Sequence, residues 1–488
     1  MKNVLIWLVF VPTIGAFILP LAGLIAPKLR NWLSLLLVLT PLVLSLALIG
    51  PVMGGQDVTW GLQLSQGFEM VFHADSLAVF MAVVSTLVSS IIVLYSMSYI
   101  SHYRWQNEYY LMVVLFLGGM MGLVFAGNLI LLYVFWEITA IASWRLIGFF
   151  RERSHVIRAD KAFLVTVFGA LAMLLGFIMV YQQTGTFDMA VIKQTLAGQT
   201  LMPLATALIL IGMLAKSATL PLHTWLPDAG VAPSPVTALL HAAVLVKIGV
   251  YVYARLFIVT FSLTPQWQTA VLVIAAASAL VSAGAAMIDT DLKRIIAFST
   301  VSQIAFIFLG LGVGSLTGVP KDVQVMGVAG AMLYILMHGL AKGGLFLCAG
   351  IVEQNTHTKD ITKMGGLIRT MPVTAVSFLF CAMSVMGIPP FGGFFSKYLV
   401  MAGALNGAPL WIALTFLFGA FMTIIYLLRV FNMVFLGSPR IEGVKERSPV
   451  MVACVALLAL LSLAGGILIN LPSDFAQSAA HQMLGMVK

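Results

Sequence analysis

LILIGMLAKSATLP, residues 208–221, places a lysine inside a run of sequence that is otherwise apolar enough to lie in lipid. A single charge at the centre of a membrane helix costs about 2.5–3.5 kcal/mol on insertion scales, so such residues are rare and usually mark ion pathways. Five ionisable side chains lie in apolar runs of this kind: Glu137, Lys216, Lys247, Lys342 and Lys397. Their number predicts a path for ions through a membrane.

The composition of the chain indicates the same class of protein. Hydrophobic residues make up 61% of the 488 residues, charged residues only 9%, and the mean hydropathy is +1.05. A soluble domain carries about 25% charged residues. Apolar runs of about 20 residues, long enough to cross a bilayer as helices, recur from end to end. We therefore predict an all-α polytopic membrane protein whose N-terminal apolar run is the first span and not a cleaved signal peptide.

The three cysteines, Cys348, Cys381 and Cys454, are scattered through apolar sequence without paired spacing. This spacing excludes a cysteine-ligated iron–sulfur cluster or structural zinc held by this chain alone. The sequence has no flavin, nucleotide or haem motif, so we predict no cofactor on this chain. Any electron transfer that drives it would occur on partner subunits.

Basic residues between the apolar runs predict the orientation of the chain. Loops after odd-numbered spans hold 15 of the 26 lysines and arginines, the opposite side holds 4, and 7 lie within or at the ends of spans. By the positive-inside rule, both termini should face the periplasm or the cell exterior. We predict about 14 spans, at residues 4–26, 31–52, 75–100, 109–126, 129–150, 161–182, 203–222, 235–259, 267–288, 293–314, 326–351, 371–403, 410–435 and 449–471.

Two of these spans should be broken. Pro221 interrupts residues 216–227, and Pro389 and Pro390 with the glycine pair at 392–393 interrupt residues 386–397, where a helical hydrogen-bond ladder cannot continue. Unwound backbone at membrane depth is tolerated only inside protein or beside water, so both breaks should face a hydrated interior. The eleventh span is also predicted to be irregular, because it contains Gly339, Gly343 and Gly344.

The order of lysine and break suggests an internal repeat. Lys216 precedes the break in its span, whereas Lys397 follows the break in its span, and the two spans are five apart. Because five is an odd number of membrane crossings, two five-span units in sequence would have opposite orientations. Inverted repeats with sites at broken helices are a known transporter architecture. We predict four regions: three N-terminal spans at 1–108, the two five-helix repeats at 109–259 and 260–436, and the last span with a short tail at 437–488.

Four motifs resemble one family across about residues 70–440. They are FWEIT at 135–139 with LIGF at 146–149, the stretch 215–243, the stretch 291–303, and GGFFSK at 392–397. The chain resembles the antiporter-like membrane subunits of respiratory complex I, multisubunit Na+/H+ antiporters and energy-converting hydrogenases. The resemblance implies 14 helices with two inverted five-helix repeats.

The resemblance also implies roles for the buried charges. Glu137 and Lys216 would form a switchable ion pair, because moving one relative to the other changes how tightly each holds a proton. A static buried pair is the alternative, although such a pair adds little net stability. Lys247 would be the central relay, and Lys397 would release the ion toward the outside.

Tyr334, His338 and Lys342 recur at four-residue spacing and so share one helical face. Relatives often have histidine at the first position, where a tyrosine stands here. His338 titrates near neutral pH, and its alignment with Lys342 favours a relay over an ordinary core residue.

Four further residues are possible accessory groups. His223, His241 and Asp228 flank the first break; for His241 a relay and a structural hydrogen bond remain equally open, and Asp228 is interpreted as loop structure. Arg145 lies two helical turns after Glu137, where it either stabilises that carboxylate or reaches the cytoplasmic interface. Arg255 and Arg429 leave the same alternatives open.

Two functions fit this sequence. The main prediction is a proton-translocating subunit of a redox-driven complex, like complex I or a membrane-bound hydrogenase, in a bacterial or archaeal cytoplasmic membrane. The alternative is the large subunit of a multisubunit Na+/H+ antiporter. Both imply homologous and small membrane subunits as partners. Buried lysines favour protons, because sodium prefers oxygen ligands. The short segment after the last span is expected to lack the lateral helix of the longest relatives.

Overall fold

The computed structural model of the chain describes residues 2–65, 68–441, 443–446 and 448–486. Helices dominate it, and 12 of them within these ranges are long and apolar enough to cross a membrane. Two shorter apolar helices, Pro203–Lys216 and Pro372–Met386, fall at the predicted breaks. The prediction of an all-α polytopic membrane protein is therefore confirmed. Arg447 and Lys488, two basic residues counted for the orientation, lie outside the described residues.

The N-terminal region begins with apolar helices and continues into an antiparallel hairpin that the sequence did not predict. Its residues lie between the second and third predicted spans, where no element was predicted, and the buried Phe72 and Ala74 anchor the second strand. The elements are α1 (Lys2–Gly15), α2 (Leu19–Ile25), α3 (Pro27–Met53), β1 (Val58–Ser65), β2 (Phe68–Ala74) and α4 (Ser76–Tyr99).

The next helices carry the first candidate site residues. Asn128 begins one of them, because its side-chain oxygen accepts a hydrogen bond from the Ile130 amide at 2.8 Å, as N-cap residues do. The elements are α5 (Gln106–Phe125), α6 (Leu129–Ile147), α7 (Arg153–Thr184), α8 (Met189–Thr195), α9 (Pro203–Lys216) and α10 (Trp225–Asp228).

The helix that follows the first break is irregular along its length. It alternates α-helical segments with wider π-helical turns, which loosen the backbone near His241 and Arg255. Turns of this kind are frequent at functional sites. The segments are α11 (Ser234–Ala238), a π turn at Leu239–Ala243, α12 (Leu245–Tyr253) and a π turn at Ala254–Thr260.

The second half also consists of long helices and one broken pair. The elements are α13 (Pro265–Ile288), α14 (Leu292–Gly314), α15 (Lys321–Thr356), α16 (Pro372–Met386), α17 (Gly392–Gly407), α18 (Leu410–Phe435), α19 (Pro449–Ile467) and α20 (Asn470–Met483). The last of these, a short helix with a polar face after the final apolar helix, was not predicted.

The predicted irregularity of the eleventh span is wrong, because α15 is one continuous helix of 36 residues. Its glycines serve packing instead. A Cβ at Gly339 would lie 3.3 Å from the Ala242 carbonyl, and one at Gly343 would lie 3.3 Å from Val88. The glycines therefore let neighbouring helices approach α15 closely without unwinding it.

The helix bundle has two ends, which we call the hairpin face and the basic face. The hairpin face carries the β-hairpin, and isolated bridges join Phe72 to Ala126 and Asn128 to Asp188 there. The basic face is the opposite end, where Asp291 bridges to Asp360. Helices α14 and α15 lie almost wholly buried between these ends, whereas α3, α7 and α18 expose apolar side chains to the outside.

Candidate functional site

The first pair of predicted site residues lies between α6 and α9. Lys216 is the last residue of α9 and is fully buried. Its Nζ donates a hydrogen bond to the Trp136 carbonyl oxygen at 3.3 Å and lies 5.2 Å from the centroid of the Trp136 ring. Trp136 immediately precedes Glu137. The lysine therefore binds the backbone of the residue before its predicted partner, and not the Glu137 carboxylate.

The predicted ion pair is open in this structure. Among the described residues, no nitrogen–oxygen contact short enough for an ion pair joins Lys216 to Glu137, and the buried Glu137 Oε1 has no hydrogen-bond partner. A carboxylate oxygen buried without a partner is costly. The pair is therefore not held as a static ion pair here, although the two side chains remain neighbours.

Lys247 lies at the centre of the bundle. It is fully buried on α12, and its Nζ has no hydrogen-bond partner among the described protein groups. A Cβ built at Gly339 would lie 3.6 Å from this nitrogen, which places the lysine against the middle of α15.

The predicted face of α15 is confirmed as a buried row. Tyr334, His338 and Lys342 each expose no more than 1% of their surface. The Lys342 Nζ donates to the Ile296 carbonyl oxygen at 3.1 Å, whereas both ring nitrogens of His338 lack partners among the described residues. Gly339, which follows His338, faces the Lys247 Nζ, and the Tyr334 ring centroid lies 5.5 Å from the Lys397 Nζ, so this face of α15 lies between the two lysines.

Lys397 lies in the first turns of α17, after the second break. Its Nζ donates to the Val385 carbonyl oxygen at 2.7 Å and lies 4.6 Å from the Phe306 ring centroid. Val385 is the penultimate residue of α16. The ammonium group therefore reaches back to the C-terminal end of the preceding half-helix, where the helix dipole favours a cation.

The accessory residues take different roles. His241 lies in a π turn, fully buried, with its ring 4.4 Å from that of Phe346 and neither nitrogen bonded to a described protein group. His223 is half-buried at the first break. Asp228, which the sequence indicated as loop structure, is instead the last residue of the short helix α10, and it binds Lys161 at 2.7 Å and Arg294 at 2.9 Å.

Arg145 does not reach Glu137. Its Nε donates to Glu108 Oε1 at 2.8 Å, and Arg151 binds the other oxygen of the same carboxylate. The Arg145 side chain is 37% exposed at the basic face. The interfacial alternative is therefore the one observed. Arg429 likewise donates to a backbone oxygen, that of Asp289.

Sequence reasoning missed a polar network behind Tyr334. The Tyr334 hydroxyl donates to Gln303 Oε1 at 2.6 Å, and the Gln303 amide donates to Thr423 Oγ1 at 3.2 Å. Tyr426 joins the group by donating to Ser299 Oγ at 2.7 Å. Gln303 is the last residue of the motif at 291–303, so the sequence could have indicated it as a site residue. No sequence pattern indicated Thr423 or Tyr426.

A buried ion pair at the hairpin face was also missed. Asp75, the N-cap residue just before α4, receives two hydrogen bonds from Arg255, one of them 2.7 Å long, and Arg255 also contacts the Tyr251 hydroxyl at 3.0 Å. Burial alone would raise the pKa of the Asp75 carboxyl, but the Arg255 guanidinium holds that pKa well below its usual value. The pair stays charged and ties α4 to the irregular helix.

The residues described by the structure include no group of three or more His, Cys, Asp or Glu side chains that could hold a metal ion. The ionisable groups of the interior are instead mostly nitrogen bases on separate helices. Such a line suits the transfer of protons, which need only short hydrogen-bonded steps, better than the coordination of a bare cation.

Together, the fold and these side chains define a polytopic membrane protein with ionisable groups aligned through its core. Residues 126–423, more than half of the chain, match the family described as "NADH:quinone oxidoreductase/Mrp antiporter, TM". Residues 60–110 match "NADH-Ubiquinone oxidoreductase (complex I), chain 5 N-terminus". The chain belongs to the NADH:quinone oxidoreductase/Mrp antiporter family, which confirms the resemblance of its motifs.

Curated relatives carry antiporter names. The A1 subunit of a Na(+)/H(+) antiporter from Staphylococcus saprophyticus is 32% identical over 484 residues, which cover 94% of this chain and 60% of that protein. A Na(+)/H(+) antiporter subunit from Alkalihalophilus pseudofirmus is 36% identical over 421 residues, covering 83% of this chain and 52% of that protein. The chain thus spans between half and three fifths of the length of these relatives.

Solved structures share the fold. A chain of the Mrp complex from Dietzia sp. DQ12-45-1b has a TM-score of 0.87 at 22% identity, with 99% of this chain and 97% of that chain covered. A chain of the membrane-bound sulfane sulfur reductase, an archaeal respiratory membrane complex, has the same TM-score at 23% identity, with coverages of 99% and 98%. One fold therefore occurs in an antiporter complex and in a respiratory complex.

Proposed function

We propose that this chain is an ion-translocating subunit of an Mrp-type Na+/H+ antiporter complex. The observation that carries the proposal is the row of buried bases: Lys216, Lys247, His338, Lys342 and Lys397 expose 6% of their surface or less. Burying one ion without a partner costs several kcal/mol, so a row of them has no value for stability. The antiporter names of relatives at 32% and 36% identity favour this function over the redox-driven one predicted from the sequence.

In this proposal each group holds a proton in turn. Glu137 and Lys216 act as the switch: when the carboxylate approaches, Lys216 keeps its proton, and when the carboxylate withdraws, the proton passes on. Lys247 receives it at the centre, where no described protein acceptor holds the ammonium in place. His338 and Lys342 carry it along α15 to Lys397, which releases it. Water would bridge the steps, because unpartnered buried polar groups such as the His338 nitrogens need it.

A redox-driven complex is the second candidate. The fold shared with the sulfane sulfur reductase, described as a respiratory membrane complex, supports it. In that case, the same row of bases would move protons in response to electron transfer on other subunits. Both candidates require partner membrane subunits and a cytoplasmic membrane. The bias of basic residues supports placing both termini outside.

The decisive experiment uses the complex purified with its native partners and reconstituted into proteoliposomes that contain a pH-sensitive dye. An imposed Na+ gradient without any redox substrate should change the internal pH, and dissipating that gradient with a sodium ionophore should abolish the change. If the pH changes only when an electron donor and acceptor are supplied, the redox-driven candidate replaces the antiporter. If neither condition moves protons, the proposed function is wrong.

A further inference from the structure

A large cavity opens at the basic face, away from the row of bases. Its volume is about 940 Å³. It lies where three interior helices end or begin, since Tyr99 ends α4, Lys293 is the second residue of α14, and Glu353 lies in the last turn of α15. We call this cavity the basic-face vestibule.

The inner wall of the vestibule holds an ion pair. Lys293 Nζ lies 2.5 Å from Glu353 Oε2, and the lysine also donates to the Ala232 carbonyl oxygen at 3.2 Å. The Lys293 side chain is 2% exposed and that of Glu353 is 25% exposed. The carboxylate therefore faces the vestibule, while the ammonium lies behind it. The count of basic residues had assigned Lys293 to the loop before the tenth span.

Hydroxyl groups continue from the carboxylate toward the interior. Ser234 Oγ donates to Glu353 Oε2 at 3.3 Å, and the Tyr99 hydroxyl approaches Ser234 Oγ at 3.5 Å. The Tyr95 hydroxyl lies close by, because a Cβ at Gly350 would be 2.8 Å from it and 2.9 Å from Ser234 Oγ. The glycine thus lets these oxygens converge beside α15.

The line of oxygens points toward the row of bases. His241 follows Ser234 by seven residues on the same helical segment, about 10 Å along a helix axis. Its ring packs on Phe346, four residues before Gly350 on α15. The next residue, Ala242, meets α15 at Gly339, where both its carbonyl oxygen and the Lys247 Nζ lie within 4 Å of a built Cβ. The vestibule and the row of bases are therefore separated by about two helical turns.

We propose that the basic-face vestibule is the site where protons from the basic-face solution are taken up, with Glu353 as the first acceptor. This inference rests on the proposed function. A proton from water in the vestibule binds Glu353 Oε2 and weakens its contact with Lys293. The proton then passes to Ser234 Oγ as the serine hydroxyl releases its own proton inward, toward His241.

The first test removes the acceptor without changing its shape. Glu353→Gln, in the full chain assembled with its native partners, should lower Na+-dependent proton transport by about a hundredfold, within the range that positioned proton-transfer groups contribute. Glu152→Gln is the matched control, because Glu152 is a 68% exposed carboxylate on the same face. Size-exclusion chromatography of the complex checks assembly. Normal transport by assembled Glu353→Gln would overturn the proposal.

The second test blocks the vestibule in a protein that has already folded. Ser98→Cys lies in its wall, whereas Ser154→Cys is an exposed control on the same face. The native cysteines Cys348, Cys381 and Cys454 are buried. A bulky, membrane-impermeant methanethiosulfonate added to everted vesicles should stop transport by Ser98→Cys and leave Ser154→Cys active. If transport persists after complete labelling of Ser98→Cys, the vestibule is not the site of proton uptake, and the proposed function still stands. If the wild-type complex shows no Na+-dependent proton transport, the proposed function itself is wrong.

Discussion

The buried lysines differ in how well the protein stabilises their charge. Lys216 and Lys397 each donate to a backbone carbonyl; Lys216 is itself the last residue of α9, and the Lys397 ammonium reaches the C-terminal end of α16. The partial negative charge of a helix C-terminus favours a cation there. Lys247 has neither a carbonyl nor a carboxylate partner among the described residues. We infer that a proton resides at the two broken helices and only passes through the centre.

Substitutions of Lys216 and Glu137, the proposed switch, test whether a proton resides at the first broken helix. Lys216→Met keeps the volume of the side chain but holds no proton, and Glu137→Gln cannot become charged. Both should lower Na+-dependent proton transport by at least about a hundredfold, because a positioned proton-transfer group contributes about 10²–10⁴. Dye quenching in everted vesicles measures the rate. Lys193→Met, which removes an exposed lysine from α8, is the control and should transport normally. Wild-type rates in either switch variant would exclude the switch.

At this scale, the sequence identified the ionisable residues but not their partners. A charged residue in an apolar run can be recognised without any structure, and so Lys216 and Lys397 were found. Their contacts depend on which distant segments meet. Arg255 and Asp75 are 180 residues apart, and no local pattern links them. For Arg145 the sequence left open either Glu137 on its own helix or the interface, and it could not show that Glu108 of a neighbouring helix binds this arginine.

At the scale of elements, the prolines at the two breaks interrupt helices, whereas the glycines of α15 leave that helix continuous. Prolines that cannot donate a hydrogen bond end α9 and separate α16 from α17, as the sequence predicted. The glycines of α15 do not break it, because the missing side chains are replaced by close contact with adjacent helices. The π turns at Leu239–Ala243 and Ala254–Thr260 have no proline at all. Their irregularity arises from tertiary packing, which a single sequence does not reveal.

The packing of the second break can be tested at Gly393. A Cβ at this position would lie 1.8 Å from the Ser384 carbonyl oxygen, so Gly393→Ala must push α17 away from α16. We expect a loss of about 1–3 kcal/mol in stability, as for other overpacked sites. Transport should fall as well, because Lys397 would lose its contact with Val385. Thermal unfolding of the detergent-solubilised complex and the vesicle assay measure the two effects.

Gly284 provides the matched control for this substitution. It also lies within a long helix, but the nearest atom to an added Cβ there is Met422 Cε at 3.9 Å. Gly284→Ala should therefore be neutral or slightly stabilising, since glycine costs about 0.5–1 kcal/mol relative to alanine inside a helix. Equal stability and activity of the two alanine variants would show that the close approach at Gly393 does not position Lys397.

At the scale of the whole molecule, the buried bases lie between two ends of different charge and form. The basic face has ion pairs around Glu108, Asp228 and Glu353, whereas the hairpin face is closed by Asp75 and Arg255. Apolar side chains cover α3, α7 and α18 on the outside, which suits lipid or neighbouring subunits. The inverted repeat and the division at residues 109–259 and 260–436 remain predictions, supported by the order of lysine and break.

The orientation of the whole molecule is the last prediction, and it follows from the charge bias between its faces. Positively charged loops stay in the cytoplasm during insertion, so the basic face should be cytoplasmic and the hairpin face external. Gln56→Cys lies beside the hairpin and Ser154→Cys at the start of α7, and both positions are exposed. An impermeant maleimide should label Gln56→Cys in intact cells and Ser154→Cys only in everted vesicles. The reverse labelling pattern would show that the orientation is opposite to the predicted one. The vestibule would then be a site of proton release, because protons would leave at Glu353. Labelling of both positions from one side would contradict the alternation of helices from α3 to α7.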